Sequence, residues 1–294
     1  MSSHPPRVGV VDIGTNSMRL LITDGDTVTG RWVEVTGLGH GVDTTGALSD
    51  DAMERTIAVF EEFGSLMDRK DVAWRRAIAT SATRDASNRE TFLDRAEAAL
   101  GVRPEVIDGG YEGRLAFKGA TSDLAGADYV ISDIGGGSTE FVTSGGGVSI
   151  NIGSVRLTDR ILHDRPPSED QLRAARSHVA DLFAAVSPAG PLVGVAGTWT
   201  SLAAIDLDLD RYQPDLVHGH VMSVVAVGRI VDRLAVLTVG ETAAIPALDP
   251  KRAPVILAGS VIAHAVMTAV GADTVITSEK DSLDGAAMEV LGLR

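Results

Sequence analysis

Two stretches of the chain share one layout of apolar and polar positions. Residues 7–23 read Arg-Val-Gly-Val-Val-Asp-Ile-Gly-Thr-Asn-Ser-Met-Arg-Leu-Leu-Ile-Thr, an apolar run, a polar glycine turn and a second apolar run. Residues 129–143, Tyr-Val-Ile-Ser-Asp-Ile-Gly-Gly-Gly-Ser-Thr-Glu-Phe-Val-Thr, repeat that layout. Short apolar runs bounded by turn residues predict strands, so each stretch predicts a β-hairpin. The two align without gaps, Asp12 on Asp133, Gly14 on Gly135 and Ser17 on Ser138, at an offset of 121 residues. That spacing is too long for a solenoid repeat and suits a domain, which predicts two structurally similar halves.

Between the hairpins the pattern alternates. A helix is expected over Ser49–Met67, with Ser49 as N-cap and Asp50, Asp51 and Glu54 favouring its first turn. A strand over Ala73–Ala79, an amphipathic helix over Asn88–Leu100 ended by Gly101, and a helical segment over Gly110–Gly119 follow. In the second half, Pro166 and Pro167 announce a helix over Pro167–Val186 that Pro188 closes. A buried strand over Leu192–Ala196 runs into Gly197-Thr-Trp-Thr-Ser, a strand-to-helix junction whose helix N-terminus suits an anion or nucleotide. An apolar helix over Ala253–Val270, a strand over Thr274–Thr277 and a closing helix over Leu283–Leu291 complete the series. Alternating helices and strands place the chain in the α/β class.

At 294 residues the chain exceeds the usual single domain, so two domains are expected: 1–123, and 124–282, with the closing segment 283–294 returning to the first. Charge changes the picture further. With 40 acidic against 26 basic residues the net charge is -14, which disfavours a general nucleic-acid binder; an anionic ligand must be captured locally by amides, arginines and a divalent cation. The absence of cysteine removes disulfides and thiolate metal sites. Residues Met1–Arg7 carry no apolar signal core and no apolar stretch reaches the ~20 residues of a membrane span, so the reading is cytoplasmic, with no membrane partner.

The chemistry concentrates in the glycine loops. An Asp at the end of a buried strand, followed by Gly-Thr-Asn-Ser or Gly-Gly-Gly-Ser, brings a carboxylate, hydroxyls and backbone N–H groups to one point, the requirement of phosphate with a metal. One such loop alone is equally an ordinary turn; two in register favour function. Glu112 follows a strand and the Gly109-Gly110 pair, where it serves either a ligand site or the dipole of a helix N-terminus. Ser81, Thr83 and Arg84 suit phosphate contact, and equally a capped loop with a solvated arginine. His218 and His220 read as a structural turn rather than a metal pair, and Trp199 as core rather than a base-stacking platform.

Taken together, Asp12-Ile-Gly-Thr-Asn-Ser-Met-Arg19, Ala79-Thr-Ser-Ala-Thr-Arg84, Glu112-Gly-Arg-Leu115, Asp133-Ile-Gly-Gly-Gly-Ser-Thr-Glu140, Gly153-Ser-Val-Arg-Leu-Thr158, Gly194-Val-Ala-Gly-Thr198 and Val217-His-Gly219 resemble, in order and spacing, the exopolyphosphatase and guanosine pentaphosphate phosphohydrolase family. The resemblance implies a two-lobed actin-like, ribonuclease-H-like α/β fold with an interlobe cleft, a Mg²⁺ requirement that Mn²⁺ can replace, and removal of terminal phosphate from inorganic polyphosphate or from guanosine penta- or tetraphosphate. It is compatible with a homodimer. Carried over by motif, Glu112 looks like the general base; Asp133 and Glu140 resemble metal carboxylates, with Asp12 reaching the same ion directly or through water. Gly14, Thr15, Asn16, Ser17, Arg19, Ser81, Thr83, Arg84, Gly135, Gly136, Gly137 and Ser138, with Gly197 and Thr198, would hold phosphates.

The chain departs from the family pattern in three places. Tyr111 precedes Glu112 where many members carry a second acid, and Leu283 stands where many have arginine. The chain also stops after the two-lobed core, which favours short polyphosphate or a nucleotide tetra- or pentaphosphate over very long chains. Two other classes stay open: an ATP-using actin-like kinase or chaperone-type ATPase, and a non-catalytic sensor of alarmone or polyphosphate.

Overall fold

The computed structural model describes residues 6–124, 128–186 and 188–293. Part of the polar start, Met1–Pro5, and Arg294 of the closing segment lie outside the described residues. The chain divides into two compact units, Met1–Gly119 with Ser282–Arg294, and Ala120–Asp281.

The first unit runs β1 (Val8–Ile13), β2 (Ser17–Thr23), β3 (Val28–Val35), α1 (Val42–Thr45), α2 (Asp50–Arg69), β4 (Trp74–Ala79), α3 (Ser81–Asp85), α4 (Arg89–Leu100), β5 (Glu105–Val106) and α5 (Gly109–Ala120). Its five-stranded sheet has the order β3-β2-β1-β4-β5, antiparallel from β3 to β1 and parallel from β1 to β5. The unbroken burial of β1 has a period-2 cause. Val11 and Ile13 face one core with Phe60 of α2 and Phe92 of α4, whereas Val8 and Val10 face a second with Leu115 of α5. Gly9 lies on the α2 side, where a Cβ would come 2.7 Å from the Met67 sulfur, so only glycine lets α2 approach so closely.

The second unit runs β6 (Val130–Ile134), β7 (Thr139–Thr143), β8 (Gly146–Ile150), α6 (Ser154–Arg160), α7 (Glu169–Phe183), β9 (Leu192–Val195), α8 (Ala196–Asp206), α9 (Pro214–Val217), β10 (Val221–Ser223), α10 (Val224–Ala235), α11 (Val239–Ala243), α12 (Ile256–Ala269) and β11 (Thr274–Thr277). Its sheet order, β8-β7-β6-β9-β11-β10, repeats that of the first unit strand for strand and adds β10 at the edge. The strand directions repeat as well, antiparallel across β8, β7 and β6, then parallel across β6, β9 and β11. One large core around Trp199, Phe141 and Phe183 fills it. The last helix, α13 (Ser282–Val290), belongs to the first unit, where Leu283, Ala286 and Ala287 join the core of Val8 and Val10.

Several boundaries move from their sequence positions. Helix α7 starts after Ser168, not at Pro167, because Ser168 and Gln171 form a capping box: the Gln171 N–H donates to Ser168 Oγ at 3.2 Å and the Ser168 N–H to Gln171 Oε1 at 2.9 Å. The strand expected to reach Ala196 stops at Val195, since Ala196 turns left-handed at φ 66°. Residues Ser81–Asp85 form a short helix where a loop was the alternative.

Candidate functional site

In both units the residues singled out by sequence stand at the carboxyl ends of neighbouring parallel strands, where α/β sheets place ligands. In the first unit, the loop Gly14–Ser17 follows β1, Ser81–Arg84 follow β4, and Glu112 follows β5; the register sets Ile13 beside Ala79 and Ala79 beside Val106. In the second, Gly135–Ser138 follow β6 and Gly197–Thr198 follow β9, with Asp133 beside Val195.

The two loops have the same construction. Gly14 N–H donates to Ser17 O at 3.1 Å and Gly135 N–H to Ser138 O at 3.0 Å, closing matched four-residue turns. A Cβ on Gly14 would lie 2.9 Å from Ser17 O, so the turn itself requires glycine. The segment after the third strand then takes up the loop carbonyls. In the first unit, Asn16 O accepts from Thr36 and Gly37 N–H at 3.0 Å each, and Thr15 O from Gly39 N–H at 2.7 Å. In the second, Gly135 O accepts from Ser154 N–H at 3.0 Å, and Gly136 O from Val155 and Arg156 N–H at 2.9 and 3.1 Å. Gly137 O accepts from Arg156 Nε at 2.9 Å. The N–H groups of Thr15, Asn16, Gly136 and Gly137 donate to no carbonyl among the described residues. A loop with its acceptors spent and its donors left over is an anion-binding device.

The hairpin register puts a second residue opposite each loop aspartate, and here the units differ. Asp12 pairs with Arg19 across β1 and β2, and Arg19 Nε donates to Asp12 Oδ2 at 2.9 Å while its Nη2 donates to Ser282 Oγ at 3.1 Å. Asp133 pairs with Glu140 across β6 and β7; both are buried, and Glu140 Oε1 accepts from Ser149 Oγ at 2.6 Å. Two candidates with different expected roles, Asp12 for metal and Arg19 for phosphate, are thus joined in one ion pair. Among the described residues no group of three or more His, Asp or Glu side chains is arranged to hold a metal. The opposed Asp133 and Glu140 still fit Mg²⁺, which is held by one or two carboxylates and completes its shell with water and substrate phosphate.

Around Glu112, α5 begins directly after β5. The Asp108 carbonyl accepts Glu112 N–H at 3.0 Å, which sets Glu112 in the first turn with 13% of its side chain exposed. Arg84 Nη1 donates to Ile107 O at 2.8 Å and stands 3.9 Å from Glu112 Oε2. Thr83 is fully buried and its hydroxyl has no hydrogen-bond partner among the described residues. An orphaned buried hydroxyl is costly, and a bound oxyanion would satisfy it. Ser81 opens the same short helix and is also buried.

At the second junction the geometry differs from the expectation of an open helix N-terminus. The Arg252 guanidinium lies against Gly197, where a Cβ would fall 2.0 Å from its Nη1, and Thr198 Oγ1 donates to Ile134 O at 3.0 Å. Trp199 is fully buried against Gly194. His220 Nε2 meets Asp206 at 2.8 Å and His218 Nε2 meets Asp123 at 3.2 Å, separate pairs at a turn. Three contributors escaped sequence reasoning: the brace Thr36–Gly39, the Arg156 side chain, and Arg252. The paired glycines of Gly37-Leu-Gly39 were the available signal for the first; Arg156 lies in the 153–158 motif, which gave it no role, and nothing local marks Arg252.

Two α/β units with one strand order and one loop construction define a two-lobed protein of the actin-like, ribonuclease-H-like class. The Ppx/GppA phosphatase family model matches residues 8–292, and the chain belongs to that family. It is 35% identical to exopolyphosphatase 2 of Mycobacterium tuberculosis, over 97% of this chain and 99% of that protein. It is 29% identical to exopolyphosphatase 1 of Mycobacterium leprae, over 92% and 85%. Among solved structures, the Aquifex aeolicus family member superposes with a TM-score of 0.81 at 32% identity over 98% of both chains. An exopolyphosphatase-like protein superposes with a TM-score of 0.91 at 34% identity over 97% of this chain and 99% of that one.

Proposed function

We propose that this phosphatase removes terminal orthophosphate from short inorganic polyphosphate with the help of Mg²⁺. The observation that carries the reading is the duplicated loop with held carbonyls and unspent amides, present in each unit at the carboxyl end of its first strand. Each such loop offers amide donors to phosphate oxygens. The names of the relatives, exopolyphosphatase 1 and 2, support the substrate class.

In this reading the loop amides, the Thr83 hydroxyl, Ser81 and Arg84 bind phosphate oxygens. Glu112 accepts a proton from water as the water oxygen attacks the terminal phosphorus and the anhydride P–O bond breaks, with the charge passing to the shortened chain. Asp133 and Glu140 would hold Mg²⁺, or Mn²⁺ in its place, whereas Asp12 is engaged by Arg19. The ion supplies charge neutralisation at the phosphoryl oxygens.

The test is orthophosphate release from tripolyphosphate, long polyphosphate, guanosine pentaphosphate and ATP, each with Mg²⁺ or EDTA. The reading expects metal-dependent release, fastest from the short inorganic chain. Release from guanosine pentaphosphate alone would transfer the assignment to the nucleotide, and binding without release from any substrate would make the protein a sensor.

A further inference from the structure

The residue before the candidate base is held by a cluster that touches neither loop. Tyr111 N–H donates to Asp108 Oδ1 at 2.7 Å, which caps the first turn of α5. Its phenol donates to Glu289 Oε2 at 2.5 Å and accepts from Arg76 Nη2 at 2.6 Å. Arg76 in turn donates from Nη1 to Glu289 Oε2 at 2.8 Å and from Nη2 to Glu105 Oε2 at 3.2 Å. Two guanidinium groups approach the Tyr111 ring, Arg76 Cζ at 5.6 Å and Arg114 Cζ at 5.1 Å from its centroid. Three elements, β4, α5 and α13, meet on one phenol, and β5 joins them through Arg76.

Helix geometry makes this a grip on the turn itself. On α5, Tyr111 and Leu115 are four residues apart and share a face; on α13, Gly285 and Glu289 do the same. Gly285 meets Leu115, since a Cβ there would fall 2.0 Å from Leu115 O, and Glu289 meets Tyr111. The helices therefore run antiparallel through two matched contacts, one closed by the missing side chain of glycine and one by a charge-assisted hydrogen bond. Glu112 is the next residue, about 100° around the same turn. Any rotation of that turn that moves Glu112 must also break the Tyr111 bonds.

We propose that Tyr111 is a positioning residue for Glu112: anchored by Glu289 and Arg76, it fixes the first turn of α5 so that the base is presented in one orientation. The inference rests on the proposed role of Glu112. It gives the C-terminal helix a function in the reaction.

Two readouts on Tyr111→Phe, Glu289→Gln and the double variant test it. Misplacing a base by a fraction of an ångström costs about 5–20-fold in kcat, with KM within about twofold. The double variant should be no slower than the slower single, because both remove one interaction. Independently of turnover, amide hydrogen exchange at residues 109–113 should accelerate at least about tenfold in Tyr111→Phe while the β1 amides stay protected. A kcat within about twofold of the unchanged protein, or additive losses in the double variant, or unaltered exchange at 109–113, would overturn the inference while leaving the hydrolase reading standing. If the unchanged protein releases no phosphate, the hydrolase reading falls on its own, and the exchange result still decides whether Tyr111 holds the turn.

Discussion

Asp12 and Asp133 occupy one position in two copies of a hairpin, yet the residue across the ladder is Arg19 in the first and Glu140 in the second. Direct opposition of two carboxylates is unfavourable without a cation, while opposition of carboxylate and guanidinium is favourable. The first hairpin thus carries its counter-charge in the sequence. This separates two residues that the motifs alone treat as alike. Asp133→Asn should raise the Mg²⁺ concentration for half-maximal phosphate release at least about tenfold, and Asp12→Asn by less than about threefold. A Mg²⁺ titration of the two variants checks it; equal shifts would mean that Asp12 is a direct ligand. The identity of the loop residues was legible in the sequence because a buried strand, a glycine turn and hydroxyl residues repeat in register. The Asp12–Arg19 pair followed only once the turn length fixed the ladder.

At the scale of elements, the strands with largely apolar, buried runs, β1, β6 and β9, could be read directly, as could helices with clear caps such as α2 at Ser49 and α4 at Gly101. Edge strands could not. β3 and β8 are largely exposed or half-buried, so their composition alternates weakly and carries no buried run. Their role is nonetheless central, because the segments that follow them brace the two loops. The contact of α13 with α5 was equally hidden, since it depends on residues far apart in sequence. It has a measurable consequence with pH. Burial alone would raise the Glu289 pKa, but hydrogen bonds from Tyr111 and Arg76 outweigh it and hold the carboxyl below its ordinary value of 4.5. A depressed folded pKa means stability that is complete above the unfolded value and is lost as pH falls through the folded one. The Tm difference between the unchanged protein and Glu289→Gln should therefore be largest near neutral pH and shrink below about pH 4. Thermal melts from pH 3 to 7 measure it, and a gap that widens on acidification would refute the assignment.

At the scale of the whole molecule, the chain is a fold used twice. Each unit has its own core, its own sheet with a common strand order, and its own glycine loop at the carboxyl end of the first strand. The candidate groups differ between the copies, with Glu112 and Arg84 in the first unit and the Asp133–Glu140 pair in the second. In the proposed function a protein of net charge -14 takes a polyanion by assigning capture to a few donors rather than to the surface as a whole. No helix among the described residues is long and apolar enough to cross a membrane. The central claim is that Glu112 activates the attacking water. Orthophosphate release from tripolyphosphate with Mg²⁺, measured beside substrate binding by calorimetry, tests it on Glu112→Gln. The account expects turnover to fall by about 10²–10⁴ with binding retained; turnover close to that of the unchanged protein would contradict it.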